Sequence, residues 1–295
     1  MFRKPDYRTF IPYFINEPNK TRELCLKAVE FNAHLLRYIE DQDDEICLLA
    51  VMNNGLALEH VKDKNLLICL NALRNEGRAL QFIEDQDDKI CLFAVQSDPL
   101  ALEFVKNKTR EICMEALMRN GEAIKFIEDK THEYCLAALR SNGFAIKYIE
   151  QTDEYCIEAV QQNGYAIRCI EKKTPAVLME AIKKDPYVIE QIENPSDDLC
   201  LEAVSRVGML LANVKNQTED ICLAAVKNDW MALMHVKNQT EAICFEAIKQ
   251  NPKASDYVRV KDLYRQDISV HTNKREHDAT SILESEPSAK RMRLA

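Results

Sequence analysis

The sequence predicts an all-α protein, a right- or left-handed α-solenoid of about eleven two-helix repeats of 22 residues. Three observations carry this prediction: a recurring cysteine, an alanine three residues after it and a helix-capping residue four residues before it. A fixed period of this length is typical of repeat arrays. The cysteine step shortens to 21 residues once, and Leu178 replaces one cysteine in register. The recurring cysteines are Cys25, Cys47, Cys69, Cys91, Cys113, Cys135, Cys156, Cys200, Cys222 and Cys244.

Each repeat opens with a residue that can cap a helix. Thr, Ser, Asp or Asn stands four residues before the cysteine position in all eleven repeats, as at Asp43 and Thr109. Such side chains accept a hydrogen bond from a free N–H group in the first helical turn. Apolar residues follow at helical spacing, which predicts a first helix of about ten residues. The unvarying alanine predicts a close crossing between helices, where a larger side chain would overpack.

A break follows seven and eight residues after the cysteine. It reads Asn120-Gly121 in one repeat and Asp98-Pro99 in another. The first residue can cap a second helix whose first position tolerates proline, or the glycine can close the preceding helix. Apolar residues ten, eleven, thirteen and fourteen after the cysteine predict a second helix of about eight residues. Neither helix is long enough to be stable alone, so the stacked repeats must share a core.

The repeat pattern divides the chain into three parts. Residues 1–20 form an N-terminal cap segment with an apolar stretch, and residues 21–261 form the helical repeat array. Residues 262–295 are polar and poor in aromatic residues, a composition that predicts disorder.

Composition and charge restrict the function classes. The chain is 46% hydrophobic with a net charge of -9, so we expect a folded protein that repels anionic membranes and non-specific nucleic acid. No segment approaches the roughly 18 apolar residues of a membrane helix, and the N-terminus has no signal-peptide core. We therefore expect no membrane partner, and a cytosolic or nuclear location.

The eleven cysteines predict neither disulfides nor a metal site. Equivalent residues of stacked helices lie about 9–10 Å apart, beyond the roughly 7 Å between Cα atoms that a disulfide allows. No close cysteine pair of the zinc-binding kind occurs, and Leu178 fills the same position. The sequence therefore predicts buried, reduced cysteines, and Cys169, which is out of register, is expected to be packed as well.

No constellation of residues indicates catalysis. The acidic linkers at residues 40–45 and 84–88 could attract a hard cation, but they lack the glycine and distal glutamate of a calcium-binding loop. The histidines form no metal spacing, and no phosphate-binding loop or nucleophile elbow occurs. We predict a protein that is not an enzyme and that has no catalytic residue, metal or cofactor.

One surface position suggests a partner. Nine residues after the cysteine, packing does not demand an apolar residue, since Arg78 and Lys253 stand there. Exposed aromatic and methionine side chains in a row are typical of binding surfaces. The alternative is that this position is half-buried and contributes only to local packing. The residues that define this aromatic–methionine stripe are Phe144, Tyr165, Tyr187, Met209 and Met231, together with the adjacent Trp230.

The C-terminal tail ends in a short basic cluster. Lys290, Arg291 and Arg293 follow a proline and two small residues, a pattern that resembles a monopartite nuclear-import signal. Short basic clusters also arise by chance, and contact with an acidic partner is the alternative.

The repeat unit T-x-E-x-C-L-x-A-V-x-x-N-G-x-A-I-x-x-I, present across about residues 21–260, resembles a family of short helical repeats. That family is known only as a domain of unknown function, is abundant in giant DNA viruses of amoebae and also occurs in some bacteria. The resemblance implies a helical repeat array of viral or bacterial origin. It implies no catalytic residues, because the family has none assigned.

These observations favour a non-enzymatic protein–protein interaction scaffold whose partner is a host or viral protein. A structural or virion-associated component is one alternative, and a nucleic-acid-binding helical repeat protein is another, less favoured one because the chain is acidic. The expected location is the host cytoplasm, or the nucleus if the tail cluster acts as an import signal.

Overall fold

The computed structural model describes residues 7–259, and within that range every regular element is helical. The described residues divide into two compact units, the first ending at Asp185 and the second beginning at Pro186. In both units α-helices alternate with short 3-10 helices, so the predicted all-α fold, an α-solenoid of two-helix repeats, is confirmed.

In the first unit, α1 precedes a regular alternation of α-helices and 3-10 helices, the latter labelled η. The described elements of this unit are α1 (Tyr7–Asn16), α2 (Arg22–Phe31), η1 (Ala33–Tyr38), α3 (Asp44–Asn53), η2 (Gly55–His60), α4 (Leu66–Asn75), η3 (Gly77–Phe82), α5 (Asp88–Ser97), η4 (Pro99–Phe104), α6 (Arg110–Arg119), η5 (Gly121–Phe126), α7 (His132–Ser141), η6 (Gly143–Tyr148), α8 (Asp153–Gln162), η7 (Gly164–Cys169) and α9 (Pro175–Lys184).

The second unit continues the same alternation. Its described elements are η8 (Pro186–Gln191), α10 (Asp197–Arg206), η9 (Gly208–Asn213), α11 (Glu219–Asn228), η10 (Trp230–His235), α12 (Glu241–Gln250) and η11 (Pro252–Tyr257).

The predicted N-caps start the α-helices of the repeats. Asp43 Oδ1 accepts a hydrogen bond from the Ile46 N–H at 2.9 Å, and Thr109 Oγ1 accepts one from the Ile112 N–H at 3.5 Å. Each α-helix then runs for ten residues, as the apolar pattern predicts. It ends where the residue seven after the cysteine turns to an extended conformation, as at Asn120.

The second helix of each repeat differs from the prediction. It is a 3-10 helix of six residues, whereas the apolar pattern predicts about eight residues. In most repeats the junction residue caps it, as where Asn120 Oδ1 accepts from the Glu122 N–H at 3.0 Å, whereas Glu76 and Val207 make no side-chain cap bond. The apolar residue fourteen after the cysteine, such as Ile127, is the extended C-cap and is nevertheless buried.

The junction glycines do not close the preceding helix, because no described residue has a positive φ. They are required for close approach between repeats. A Cβ atom built on Gly55 would lie 2.5 Å from the Ala72 carbonyl oxygen, and one on Gly77 would lie 2.5 Å from that of Ala94. Five junction glycines pack in this way against the obligatory alanine of the next repeat, where any side chain would overlap backbone atoms: Gly55, Gly77, Gly121, Gly143 and Gly208.

The interior consists of the same positions in every repeat. The alanine three residues after each cysteine position is fully buried throughout, from Ala28 to Ala247. The ten cysteines in register are buried as predicted, whereas Leu178 and Cys169 are half-buried. Helices of consecutive repeats pack side by side within each unit, for example α3 against α4 and α10 against α11.

Candidate functional site

Buried cysteines in the array have raised pKa values and therefore carry little of the reactive thiolate form. Burial raises the pKa of the Cys47 thiol from its ordinary value of 9.0 to about 11, and it raises those of Cys113 and Cys200 in the same direction. A thiol is nucleophilic and binds metals only as its thiolate. Within residues 7–259, no cluster of three or more His, Cys, Asp or Glu side chains could hold a metal ion.

The acidic linkers contain a structural glutamine that sequence patterns do not reveal. Gln42 Nε2 donates to the carbonyl oxygens of Leu36, Ile39 and His60 at 2.9–3.3 Å, and its Oε1 accepts from the Lys62 N–H at 3.0 Å. The first two carbonyls belong to one repeat and the other two groups to the next. The glutamine therefore joins consecutive repeats, which gives the 40–45 linker a role in stacking. Gln86, Gln151, Gln217 and Gln239 make equivalent bonds in their own repeats.

A second set of amides joins repeats at the ends of the α-helices. Asn53 Nδ2 donates to the carbonyl oxygens of Val29 and Glu30, at 3.0 and 3.1 Å. Those carbonyls lie in the last turn of α2, where no intrahelical partner is available. Asn75, Asn228 and Gln250 repeat the arrangement.

In the first unit, the aromatic–methionine stripe is partly covered. Phe144 and Tyr165, the second residues of η6 and η7, are half-buried. The Arg168 guanidinium lies 4.9 Å from the Tyr165 ring centroid, a cation–π distance. Lys147 is similarly placed 4.8 Å from the ring of Tyr148. Tyr148 lies outside the stripe, so the stripe residue that contacts an exposed cation here is the half-buried Tyr165.

In the second unit, the stripe is more exposed. Tyr187 is 49% exposed, Met209 37% and Met231 39%. Trp230 is half-buried, and its ring centroid lies 6.1 Å from that of Tyr257. These three side chains expose surface to solvent that an apolar partner could cover.

Other exposed apolar residues lie outside the stripe. Leu66 and Leu67, at the start of α4, are 61% and 59% exposed. Most other repeats place charged residues at these two positions, as Asp44 and Glu45 do in α3. Comparing the repeats position by position would have identified this pair from sequence. Met52, Met118 and Phe245 are likewise more than half exposed on α-helices.

The basic cluster Lys290, Arg291 and Arg293, and the whole tail at 262–295, lie outside the described residues. Among the described helices, none has both the length and the apolar character that crossing a membrane would require.

Comparison with known families agrees with the repeat architecture. Residues 21–67, 87–132 and 109–152 each match the model of a family described as Domain of unknown function (DUF4116). The matched segments, of which the last two overlap, lie in the first unit and support a repeat family to which no function is assigned. No curated protein and no solved structure matches the chain.

Proposed function

We propose that this protein is a non-enzymatic scaffold that binds another protein through the aromatic–methionine stripe. The observation that carries the proposal is the exposure of Tyr187, Met209 and Met231. All three are large side chains at a position where Arg78 and Lys253 show that folding does not require apolar character. Large apolar and aromatic side chains at a surface are the usual centres of protein–protein interfaces.

The arrangement of the array supports this proposal. The interior positions are nearly constant, and glutamine and asparagine amides join one repeat to the next. A surface supported in this way presents its side chains on a rigid frame, which reduces the ordering cost of binding. Each repeat adds one more variable surface position, so the array is suited to holding an extended partner.

The resemblance of the repeat unit extends the proposal to the biological setting. We place the chain in a virus or bacterium and its partner among host or viral proteins, in the host cytoplasm or, if the tail cluster acts as an import signal, the nucleus. A virion-associated structural role and nucleic-acid binding are the competing functions. The same experiment separates them from the scaffold, because they predict recovery of particles or of RNA.

Co-purification tests the proposal. The full chain and a stripe variant carrying Tyr187→Gln, Met209→Gln and Met231→Gln are used as bait in a host-cell lysate. Glutamine keeps the length of the methionine side chain and removes its apolar end. We expect at least one protein to be recovered by the wild type and lost from the stripe variant, because interface centres of this kind carry most of the binding energy.

A matched control changes exposed apolar residues elsewhere. Leu66→Asp with Leu67→Glu gives α4 the acidic start that α3 has, which should not destabilise the helix. Recovery of the same partner by this control assigns binding to the stripe. Identical protein lists for wild type and stripe variant, at equal melting temperatures, would contradict the proposal and assign the stripe to packing.

A further inference from the structure

Two half-buried apolar residues, Trp230 and Met234, lie on the same 3-10 helix as the exposed Met231. Met209 on η9 and Met231, Met234 and Trp230 on η10 lie on two 3-10 helices that pack together. We call these four residues the methionine face. Methionine is flexible and polarisable, so surfaces rich in it adapt to apolar partners, amphipathic helices above all.

A row of cations stands at the other end of these 3-10 helices from Met209 and Met231. Lys215, Lys237 and Arg259 each follow directly after the C-cap residue of a 3-10 helix, in η9, η10 and η11 respectively. The structural glutamines fix two of these positions, because the Lys237 N–H donates to Gln217 Oε1 at 2.8 Å and the Arg259 N–H to Gln239 Oε1 at 2.7 Å. The three residues, which we call the basic row, thus stand at a regular interval along the unit.

The charge of the basic row is not neutralised within the described chain. Lys237 Nζ donates to the Lys215 carbonyl oxygen at 2.6 Å, and the Arg259 guanidinium donates to the carbonyl oxygen of Val236. Carbonyl oxygens carry no net charge, and none of the three cations forms an ion pair with another residue of the 7–259 range. The carboxylates on the neighbouring 3-10 helices are Asp256 on η11 and Glu190 on η8, and Glu190 accepts from Asn213 Nδ2 at 2.7 Å. Glu193 lines the same cavity as Glu190 and Lys215, and Asp229, the N-cap of η10, accepts from the Met231 N–H at 2.8 Å.

The first unit shows that a cation is not required at this position. Glu128, Glu150 and Glu171 occupy it after η5, η6 and η7. Lys62 and Lys106 occupy it after η2 and η4, and Glu193 follows η8 in the second unit. The fold therefore accepts either charge there, and three consecutive cations follow η9, η10 and η11.

We propose that the methionine face and the basic row together bind an acidic amphipathic α-helix of a partner protein. The proposal rests on the scaffold function above and specifies the chemistry of the partner. The apolar side of the helix covers Met209, Met231 and Trp230, and its carboxylates meet Lys215, Lys237 and Arg259. Charge complementarity selects the acidic partner, and apolar burial supplies the affinity.

The dimensions of the surface fit such a helix. A 3-10 helix of six residues is about 12 Å long, close to the 10–12 Å diameter of an α-helix with its side chains. Packed helices of consecutive repeats lie about 8–10 Å apart, and an α-helix rises about 10 Å in seven residues. Carboxylates at every seventh position of the ligand would therefore face successive cations of the basic row.

Synthetic helical peptides of about 18–20 residues test the proposal with the full chain. The acidic probe has glutamate at every seventh position beside an apolar stripe, a second probe has lysine at those positions, and a third is a scrambled acidic sequence. Fluorescence anisotropy measures binding at about 0.05 M and 0.5 M salt. We expect the acidic probe to bind at least about tenfold more tightly than either other probe, and to weaken as salt rises.

Two variants separate the apolar and charged contributions. Met209→Gln with Met231→Gln should weaken the acidic probe about tenfold or more. Lys215→Gln, Lys237→Gln and Arg259→Gln together should weaken it about threefold to tenfold and remove most of its salt dependence. The Leu66→Asp, Leu67→Glu control should bind the probe as the wild type does, and melting temperatures verify that each variant is folded.

Several outcomes would overturn the inference. Equal binding of the acidic and lysine probes would exclude charge selection, and unchanged binding by the double methionine variant would reduce the effect to non-specific attraction. Single-stranded RNA can be added so that its total phosphate charge equals the total carboxylate charge of the acidic probe. Displacement of the probe under these conditions would assign the surface to nucleic acid. If the lysate partner depends on the stripe while the probes show no preference, the scaffold stands and the partner chemistry is wrong. If the acidic probe binds while no lysate protein depends on the stripe, the scaffold proposal fails alone.

Discussion

The interior and the surface of the repeats obey different constraints. Three residues after the cysteine position, every repeat has a fully buried alanine, and in five repeats its carbonyl oxygen lies against the junction glycine of the preceding repeat. Nine residues after the cysteine, His34, Arg78, Phe144 and Met209 are all accepted. The repeats therefore share one packing arrangement in the interior, whereas the residue type at the surface position is free to vary.

Raising the pH to alkaline values is expected to cause the largest loss of stability in the interior. Burial raises the pKa of Cys47 to about 11, above its ordinary value of 9.0. Burial also raises the pKa values of Cys69, Cys91 and Cys156. A raised pKa adds stability that is complete below pH 9 and is lost as pH rises towards 11, because the unfolded chain ionises first. We expect the free energy of unfolding to fall steeply over this window. The slope is about 1.4 kcal/mol per pH unit for a thiol that is ionised in the unfolded chain and still protonated in the folded one.

The control for that fall is Cys47→Leu, since Leu178 already occupies the equivalent position. Urea denaturation at a series of pH values between 8 and 11 should show a shallower slope for this variant than for the wild type. Parallel slopes would mean that lysine and tyrosine ionisation, and not the buried thiol, controls the alkaline loss.

The obligatory alanine gives the next largest effect. Ala116→Leu inserts three heavy atoms into a fully buried position, and we expect a destabilisation of about 1–3 kcal/mol. Ala242→Leu adds the same atoms at an exposed position in the first turn of α12, where a change below about 0.5 kcal/mol is expected. Equal melting temperatures for Ala116→Leu and the wild type would contradict the packing model.

The glutamines that join repeats come next. Gln86→Ala removes hydrogen bonds to the carbonyls of Ile83 and Phe104 and to the Lys106 N–H, so we expect a loss of about 1–2 kcal/mol in chemical denaturation. Gln86→Lys is the matched control, because Lys108 at the equivalent position donates to the Val105 carbonyl at 3.0 Å. We expect the lysine variant to regain only the bond to the Ile83 carbonyl and to stay below the wild type in stability. A Gln86→Ala variant as stable as the wild type would show that the amide contacts are not what joins the repeats.

Substitutions in the surface stripe are expected to change the stability least. The stripe variant Tyr187→Gln, Met209→Gln, Met231→Gln changes side chains that are more than a third exposed. We expect each substitution to alter the free energy of unfolding by less than about 0.5 kcal/mol. A loss comparable with that of Ala116→Leu would place these side chains with the interior and remove the basis for calling them a binding surface.

The sequence predicts the α-helices well because their signals are local. A capping residue, a one-sided apolar stripe and a buried cysteine recur in every repeat, and the α-helices begin where the caps predict. The second helix is harder, because apolar residues at spacings of one, three and four fit an α-helix and a short 3-10 helix alike. The six-residue length follows from the extended residue that ends it, such as Ile127, which no local pattern marks.

The candidate surface is less predictable from sequence. Gln42 and Lys64 occupy equivalent positions, so residue type alone does not reveal amides that bond to backbone carbonyls of two repeats. Exposure within the stripe also depends on packing, since Phe144 is half-buried and Tyr187 is 49% exposed at equivalent positions. Register identifies which residues share a position, but neighbouring elements decide how much of each side chain remains accessible.

Thiol labelling of the native protein can establish whether the register cysteines form the buried interior, because every repeat but one contributes a cysteine to it. The reagent is added to the native chain and, in parallel, to the chain unfolded in denaturant. We expect half-buried Cys169 to react first, and the ten cysteines in register to react only on unfolding, with the terminal Cys25 and Cys244 the earliest of these. Rapid labelling of several register cysteines in the native state would show that they do not form the buried interior, and would contradict the account.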